Sequence, residues 1–138
     1  MIAPEFIDSN IWLYALLVGQ DQEKSQIAKD LTLAEPRLIS VQVISEVCVN
    51  LIRKDRYSEE SICKLLSSFV SSHILVEMGE DVLLEASRVR SLGHSFSYWD
   101  SLIVATALLG NAETLYSEDM QHGFVVDSRL KIVNPFKI

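Results

Sequence analysis

Short runs of apolar residues alternate with longer amphipathic segments along the chain, and this alternation predicts the secondary structure. The short runs predict strands at residues 2–7, 38–41, 74–76, 114–116 and 130–133. The longer segments have apolar residues at helical spacing and predict helices at residues 9–17, 21–33, 43–54, 58–70, 80–92 and 98–109. Strands separated by helices favour a central parallel sheet with helices on both faces, so we predict an α/β fold.

Serine residues stand at the start of three predicted helices. Ser9, Ser58 and Ser97 are candidates for the N-cap, whose side-chain oxygen accepts a hydrogen bond from the first helical turn. The 138 residues contain no internal repeat or Pro/Gly-rich linker, and 49% of them are apolar. That apolar content is enough for one core, so we expect a single domain over residues 1–138.

The first residues, the apolar runs and the cysteines together favour a cytoplasmic protein. The first ten residues lack the features of a secretory signal, and no apolar run approaches the ~18 residues of a membrane span. Cys48 and Cys63 fall in helical patterns, where reduced core thiols are more common than a disulfide or zinc site. We therefore expect the protein in the cytoplasm, without a membrane partner.

The formal charge of -7 restricts how the protein could bind nucleic acid. Coating nucleic acid nonspecifically needs a broad basic face that displaces counterions, and this chain is too acidic for that mode. A nuclease is not excluded, because carboxylates that bind cations account for part of the excess charge. The candidate basic patch for RNA contact is Arg53, Lys54 and Arg56.

Four carboxylates occupy positions that a parallel sheet would bring together. Asp8 ends the first predicted strand, and Asp119 follows the fourth by three residues. Asp100 lies in the first turn of a helix, and Glu46 lies in the helix after the second strand. Open parallel sheets bind ligands beyond the carboxyl ends of their strands, and hard cations prefer oxygen ligands. The pattern predicts a nuclease that depends on Mg2+ or Mn2+.

Each acid also has a purely structural interpretation. Asp8 could cap the following helix, and Asp100 with Ser97 resembles a capping box. Glu46 shares a helical stripe with polar residues, which a solvated helix face explains equally well. Residues 117–119 could form an ordinary turn after a strand. It is the joint placement of the acids that favours a catalytic site.

Four segments of the chain, taken in order, resemble those of a known family. These segments are FIDSNIWLYA, SVQVISEVCVNL, FSYWDSLIVATAL and LYSEDMQHG. They are similar to the acid-bearing segments of PIN domains, in particular the VapC-like toxin ribonucleases of type II toxin-antitoxin pairs. The resemblance spans nearly the whole chain and implies a three-layer α/β/α sandwich around a parallel sheet. It also implies endonucleolytic cleavage of RNA that leaves a 5′-phosphate.

The resemblance assigns roles to individual residues. Asp8, Glu46, Asp100 and Asp119 would form the catalytic quartet, and Asp8, Asp100 and Asp119 would bind Mg2+ or Mn2+. The polar neighbours Asn10 and Ser117 would orient ligands. The aromatic neighbours Trp99 and Tyr98 would contact RNA. Glu118 could compete with Asp119 as a ligand, whereas we expect His122 to be structural.

The resemblance also implies protein partners. A homodimer is expected because the first helix, from Ile11 to Val18, has more apolar surface than one core-facing stripe requires. Its burial within the monomer would explain the same pattern. A small antitoxin that blocks the acidic pocket is the second expected partner, with a basic segment that bridges the carboxylates.

Three other functions remain open. The first is a nucleic-acid-binding PIN-like protein that is not a toxin. The second is a phosphatase of the haloacid dehalogenase type, although that family has a second Asp where Asn10 stands here. The third is a phospho-receiver module, which normally opens with paired acids that this chain lacks.

Overall fold

Residues 4–17, 19, 21–34 and 36–138 are described by the computed structural model. Within them, the strands are β1 Phe6–Ile7, β2 Leu38–Ser40, β3 Ile74–Val76, β4 Thr114–Tyr116, β5 Val125–Val126 and β6 Leu130–Val133. The helices are α1 Ser9–Leu16, α2 Gln22–Leu33, α3 Val41–Lys54, α4 Glu59–Ser72, α5 Glu80–Ser91 and α6 Tyr98–Leu109, followed by a 3-10 turn at Pro135–Lys137.

The strands form one sheet in the order β3-β2-β1-β4-β6-β5. All neighbouring pairs are parallel except β5 with β6, which is antiparallel. From β1 the chain adds β2 and β3 on one side, and later returns to add β4 on the other. This reversal makes the gap between the carboxyl ends of β1 and β4 the switch point where open α/β sheets bind ligands. The predicted α/β/α sandwich is confirmed.

The sheet is covered on both faces. Phe6 and Ile7 point to opposite faces as neighbours in a strand, and both are fully buried. Ile39 of β2 and Leu115 of β4 are also fully buried. Only a sheet enclosed by two layers buries consecutive strand residues in this way. At the edge of the sheet, β3 is more open, with Ile74 48% exposed.

Helix α6 is enclosed along most of its length. Every residue from Ser101 to Leu108 is buried, and a helix that is apolar on all sides belongs inside a protein. Its two polar side chains in this stretch are hydrogen-bonded: Thr106 Oγ1 donates to Leu102 O over 2.7 Å, and Ser101 Oγ accepts from Arg90 Nη1 of α5 over 2.7 Å. A small second core of Val82 and Ala86 from α5 packs on α6.

Several predicted ends differ from the structure by one or two residues, and the junction of β2 with α3 and one missing strand need correction. The strand predicted at 38–41 ends at Ser40, whose Oγ caps α3 by accepting from Val43 N, so the helix begins at Val41 instead of 43. Strand β5 was not predicted. The Val126–Arg129 turn has positive φ at Asp127 and Ser128, and this pair lacks the glycine that normally signals such a hairpin. The first predicted strand, at 2–7, is shorter in the structure, since residues 4 and 5 precede β1, and residues 2 and 3 lie outside the described residues.

The helix caps agree with prediction at two of three serines. Ser58 and Ser97 are N-caps and accept hydrogen bonds from Ser61 N and Asp100 N. Ser9 is not a cap: the N-cap of α1 is Asp8, and Ser9 is its first helical residue. Asp8 takes the N-cap position because it directly follows Ile7, the last residue of β1.

The two cysteines differ in environment. Both are free thiols, as predicted. Cys48 is half-buried against the core, but Cys63 is exposed, so its assignment to the core was wrong. The face of α4 that carries Ile62 is buried instead, and Cys63, about 100° further around the helix, lies outside that face.

Helix α1 is largely covered within the monomer. Ile11, Trp12 and Leu17 are buried, and Leu13 and Tyr14 are half-buried against the same core. Its apolar density therefore gives little support to a dimer through this helix; Val18 lies outside the described residues. None of the helices in the described ranges combines the length and the apolar character that crossing a membrane requires.

We predict that Ser58→Ala lowers the free energy of unfolding by about 1 kcal/mol, because Ser61 N loses its capping acceptor at an exposed helix start. Urea titration of both proteins measures the change. Ser61→Ala is the matched control and should cost much less, since its backbone N–H keeps the cap. Equal losses in the two variants would show that the cap contributes nothing of its own.

Candidate active site

Asp8 is the most deeply buried of the four acids and lies at the switch point of the sheet. It directly follows β1 and is 4% exposed. Asp8 Oδ1 accepts from Ser9 N over 2.7 Å, and Oδ2 accepts from Ser117 Oγ over 2.8 Å. Ser117 directly follows β4, so the second bond joins the ends of β1 and β4. The predicted polar neighbour Ser117 therefore contacts the acid, and Asp8 serves as both helix cap and buried site carboxylate.

Glu46 is tied to Asp8 through Ser9. Ser9 Oγ donates to Glu46 Oε2 over 2.7 Å, while Ser9 N bonds Asp8. On the other side, Gln42 Nε2 lies 3.4 Å from Glu46 Oε1 and 3.3 Å from the carbonyl oxygen of Trp99. Glu46 is half-buried and hydrogen-bonded on both oxygens, so the interpretation as a freely solvated helix face does not hold.

Asp119 is tied to α1 through Asn10. Asn10 Nδ2 donates to Asp119 Oδ2 over 3.0 Å, and Asn10 Oδ1 accepts from Glu118 N at 3.4 Å. The neighbouring Glu118 is engaged elsewhere: it accepts from Lys24 Nζ over 2.6 Å and from Tyr14 Oη over 2.9 Å. Glu118 is therefore paired with a cation, whereas the hydrogen-bond partner of Asp119 is the neutral amide of Asn10.

Asp100 reaches the site from the first turn of α6. Its backbone N–H donates to Ser97 Oγ over 3.1 Å, which is half of a capping box. The reciprocal bond, from Ser97 N to the Asp100 carboxylate, is not among the hydrogen bonds of the described residues. Asp100 and Asp119 line the same cavity of about 110 Å³. The structure thus brings Asp100 beside Asp119 without a direct hydrogen bond.

The four acids influence one another electrostatically. Burial raises the pKa of Asp8 to about 7; the bonds from Ser117 and Ser9 lower it, and the charges of Glu46 and Asp100 raise it further. Burial also raises the pKa of Asp100, with a lowering contribution from Ser97 and raising contributions from Asp119 and Glu46. Burial and mutual repulsion therefore make full ionisation of this group costly.

A donor set made only of carboxylate oxygens has the chemistry that hard divalent cations require. In the described ranges, however, no three acidic, histidine or cysteine side chains lie close enough together to hold a metal ion as they stand. Ser9, Ser117 and Asn10 occupy hydrogen-bonding positions on the acids. The residues fit a cation by their chemistry and charge.

The residues suggested for RNA contact are only partly gathered at the site. Lys54, at the end of α3, lines a cavity of about 160 Å³ together with Asn10 and Glu118. Arg53 and Arg56 are exposed nearby in sequence and are not part of that lining. Trp99 is 64% exposed beside Asp100.

His122 has a structural contact. Its Nδ1 accepts from Asn134 N over 2.9 Å and so joins the loop after β4 to the segment after β6. This contact agrees with the prediction that the histidine is structural, because the ring nitrogen that would act as a base is engaged by the backbone.

Comparison of the sequence with protein families identifies the fold. Residues 6–123 match the model of the PIN domain. The chain belongs to the PIN domain family. PIN domains are generally nucleases, and the matched range contains all four acids of the site. A search of curated protein sequences gave no significant match.

Solved structures with the same fold include components of toxin-antitoxin systems. A toxin-antitoxin complex from Klebsiella pneumoniae aligns with a TM-score of 0.70 at 20% identity, covering 98% of this PIN domain chain and 99% of the other. FitAcB from Neisseria gonorrhoeae aligns with a TM-score of 0.65 at 17% identity, covering 97% and 99%. A VapC toxin of Mycobacterium tuberculosis that cleaves the sarcin-ricin loop aligns with a TM-score of 0.60 at 20% identity, covering 83% and 91%.

Several contacts of this PIN domain were not anticipated from its sequence. Ser9 was considered only as a cap, yet it joins Asp8 to Glu46. The contact between Gln42 and Glu46 could have been predicted, because Gln42 precedes Glu46 by one helical turn on the same face. No local signal indicates that Lys24 neutralises Glu118, since the two are 94 residues apart.

We predict that Asp8→Asn removes a pH dependence of folding stability. A carboxylate whose folded pKa is raised from 3.8 to about 7 stabilises the fold below pH 4, and this contribution is lost as pH rises through 7. At pH 8 with a chelator, the variant should therefore be more stable by on the order of 3 kcal/mol. Denaturant titrations of both proteins between pH 5 and 8 measure the difference, and parallel pH profiles would contradict the prediction.

Proposed function

We propose that this chain is a single PIN nuclease domain that hydrolyses RNA as the toxin of a type II toxin-antitoxin pair in the cytoplasm. The observation that carries the proposal is the convergence of Asp8, Glu46 and Asp119 on hydrogen bonds of α1, next to Asp100, at the switch point of the sheet. The toxin-antitoxin complex from Klebsiella pneumoniae and the RNA-cleaving VapC toxin with the same fold support the choice of substrate and partner.

Asp8, Asp100 and Asp119 would hold Mg2+ or Mn2+, and Glu46 would complete the carboxylate cage or orient the attacking water. When bound, a divalent cation supplies charge for the phosphate oxygens and acidity for water. Asn10 keeps Asp119 in place, and Ser117 keeps Asp8 in place. Lys54 borders the site and would attract the RNA backbone, because a lysine is a mobile point charge for phosphate.

The activity is tested with purified protein freed of partners. Labelled RNA, a phosphate monoester and acetyl phosphate are each incubated with the protein, with and without Mg2+ or Mn2+. We expect cleavage of RNA that stops on chelation, with 5′-phosphate ends. Turnover of the monoester alone would indicate a phosphatase, stable uptake of phosphate would indicate a receiver module, and RNA binding without cleavage would indicate a nucleic-acid-binding PIN protein.

Neighbouring acids should differ sharply in their effect on cleavage. We predict that Asp119→Asn lowers the rate about 100-fold or more, because it removes a ligand charge while its fold contacts persist. Glu118→Gln is the matched control and should retain the rate, since Glu118 is occupied by Lys24 and Tyr14. Cleavage of labelled RNA measures both. Loss of activity in Glu118→Gln, with Asp119→Asn active, would reverse the two roles.

An antitoxin would dock in the apolar groove between α1, α2 and α4. This groove has a volume of about 310 Å³, and Trp12, Leu16, Leu33 and Phe69 are among its lining residues. A separate basic segment of the antitoxin would occupy the acidic pocket, where its side chain could bridge the carboxylates. A homodimer would use another face, for which the exposed Leu83 and Leu84 of α5 are candidates.

Substitutions at two exposed leucines distinguish antitoxin binding from dimerisation. We predict that Leu33→Glu, at a residue 83% exposed, abolishes inhibition by the adjacently encoded protein and leaves RNA cleavage unchanged. Leu84→Glu, at a residue 70% exposed, should convert a dimer to a monomer in light scattering and leave inhibition unchanged. Each variant is the control for the other. A wild-type protein that is monomeric at micromolar concentration would remove the dimer.

A further inference from the structure

A small cavity adjoins the acidic site on the side away from Lys54. It has a volume of about 110 Å³, and it is open toward Asp100 and Asp119, which form part of its wall. The rest of the wall comes from two loops, one between α5 and α6 and the other after β4. The loop residues are His94, Ser95, Phe96, Met120, Gln121 and Phe124.

Three aromatic rings of these loops form one cluster. The His94 ring lies 4.6 Å from the Phe124 ring and 5.8 Å from the Phe96 ring, in edge-to-face arrangements. The two phenylalanine rings are 6.0 Å apart. All three side chains are half-buried, so the cluster is anchored to the core on one side and lines the cavity on the other. Such rings offer a planar base a surface for stacking.

Three polar side chains of the same wall are free of hydrogen bonds within the part of the chain that the structure describes. Among the hydrogen bonds of the described residues, none involves the side chains of His94, Ser95 or Gln121. The cavity lined by Lys54 differs, because Asn10, Tyr14 and Glu118 in its wall are bonded to one another. The aromatic cavity thus keeps hydrogen-bonding groups available for the edge of a ligand, next to rings for its face.

We propose that this cavity is a nucleobase subsite, which receives the base of a nucleotide whose phosphate would be held by the cation at Asp100 and Asp119. The inference rests on the proposed RNA cleavage. The base stacks on the ring cluster, and Gln121 and Ser95 bond its polar edge. Cleavage then depends on the base at one position next to the scissile bond. Single-stranded RNA fits best, because its bases can leave the stack.

The inference is tested with one short single-stranded RNA and with copies that each lack the base at one position. Binding is measured by fluorescence anisotropy with Ca2+, which occupies oxygen sites while cleavage is followed separately with Mg2+. For the wild-type protein, loss of the base at one position beside the cleavage site should weaken binding at least about fivefold. Other positions should matter less.

Variants connect that position to the cavity. His94→Ala, Gln121→Ala and Phe124→Leu should each bind intact RNA more weakly and lose most of the difference between intact and base-lacking RNA. Phe124→Leu keeps the apolar volume that packs on the core, so it separates stacking from folding. Phe136→Leu, at a half-buried phenylalanine outside the cavity, is the matched control and should behave like the wild type.

The outcomes separate the subsite from the proposed function. Base-dependent binding that disappears in the cavity variants supports the subsite even if no RNA is cut. Cleavage with equal loss at every base-lacking position, or with an unchanged base dependence in all three variants, overturns the subsite and leaves the nuclease intact. Absence of both binding and cleavage overturns both. If Trp99→Ala alone removes the base dependence, the base stacks outside the cavity and the inference is wrong.

Discussion

Burial of the Asp8 carboxylate between the ends of β1 and β4 is the constraint on which the site depends. A carboxylate in this position is costly unless its oxygens are hydrogen-bonded, and both are, by Ser9 and Ser117. Those two bonds require α1 to begin directly after β1 and Ser117 to follow β4 directly. Once that register is fixed, Ser9 also reaches Glu46, and Asn10 reaches Asp119. Placement of one buried acid thus aligns three elements of the fold.

The same arrangement opposes folding stability. Asp8 and Asp100 both have raised pKa values from burial, with further repulsion from Glu46. The fold tolerates this repulsion because the surrounding sheet and α6 are well buried and apolar. Unfavourable electrostatics held in place by a stable scaffold is typical of sites where a ligand supplies the missing charge. The strain therefore concentrates at the sheet edge where the proposed chemistry takes place.

Local signals in the sequence were sufficient for the main elements and for the acids at strand ends. The long helices have periodic apolar faces, and the caps at Ser58 and Ser97 follow from short-range chemistry. Contacts made by distant residues were not accessible in this way. The pairing of Lys24 with Glu118 depends on how α2 packs against the loop after β4. The strand pair β5–β6 was missed because Asp127 adopts a left-handed conformation without glycine.

Helix α6 joins one of the acids to the interior of the protein. Because Ser101 to Leu108 are all buried, substitutions along this helix meet close-packed neighbours and are expected to be costly. The position of Asp100 is therefore constrained by the close packing of α6. The two loops that border Asp100 and Asp119, residues 93–97 and 121–124, carry exposed side chains such as Ser95 and Gln121 beside their half-buried aromatic rings. Substitutions in those loops would therefore change the surface around the acidic site while the position of Asp100 stays fixed.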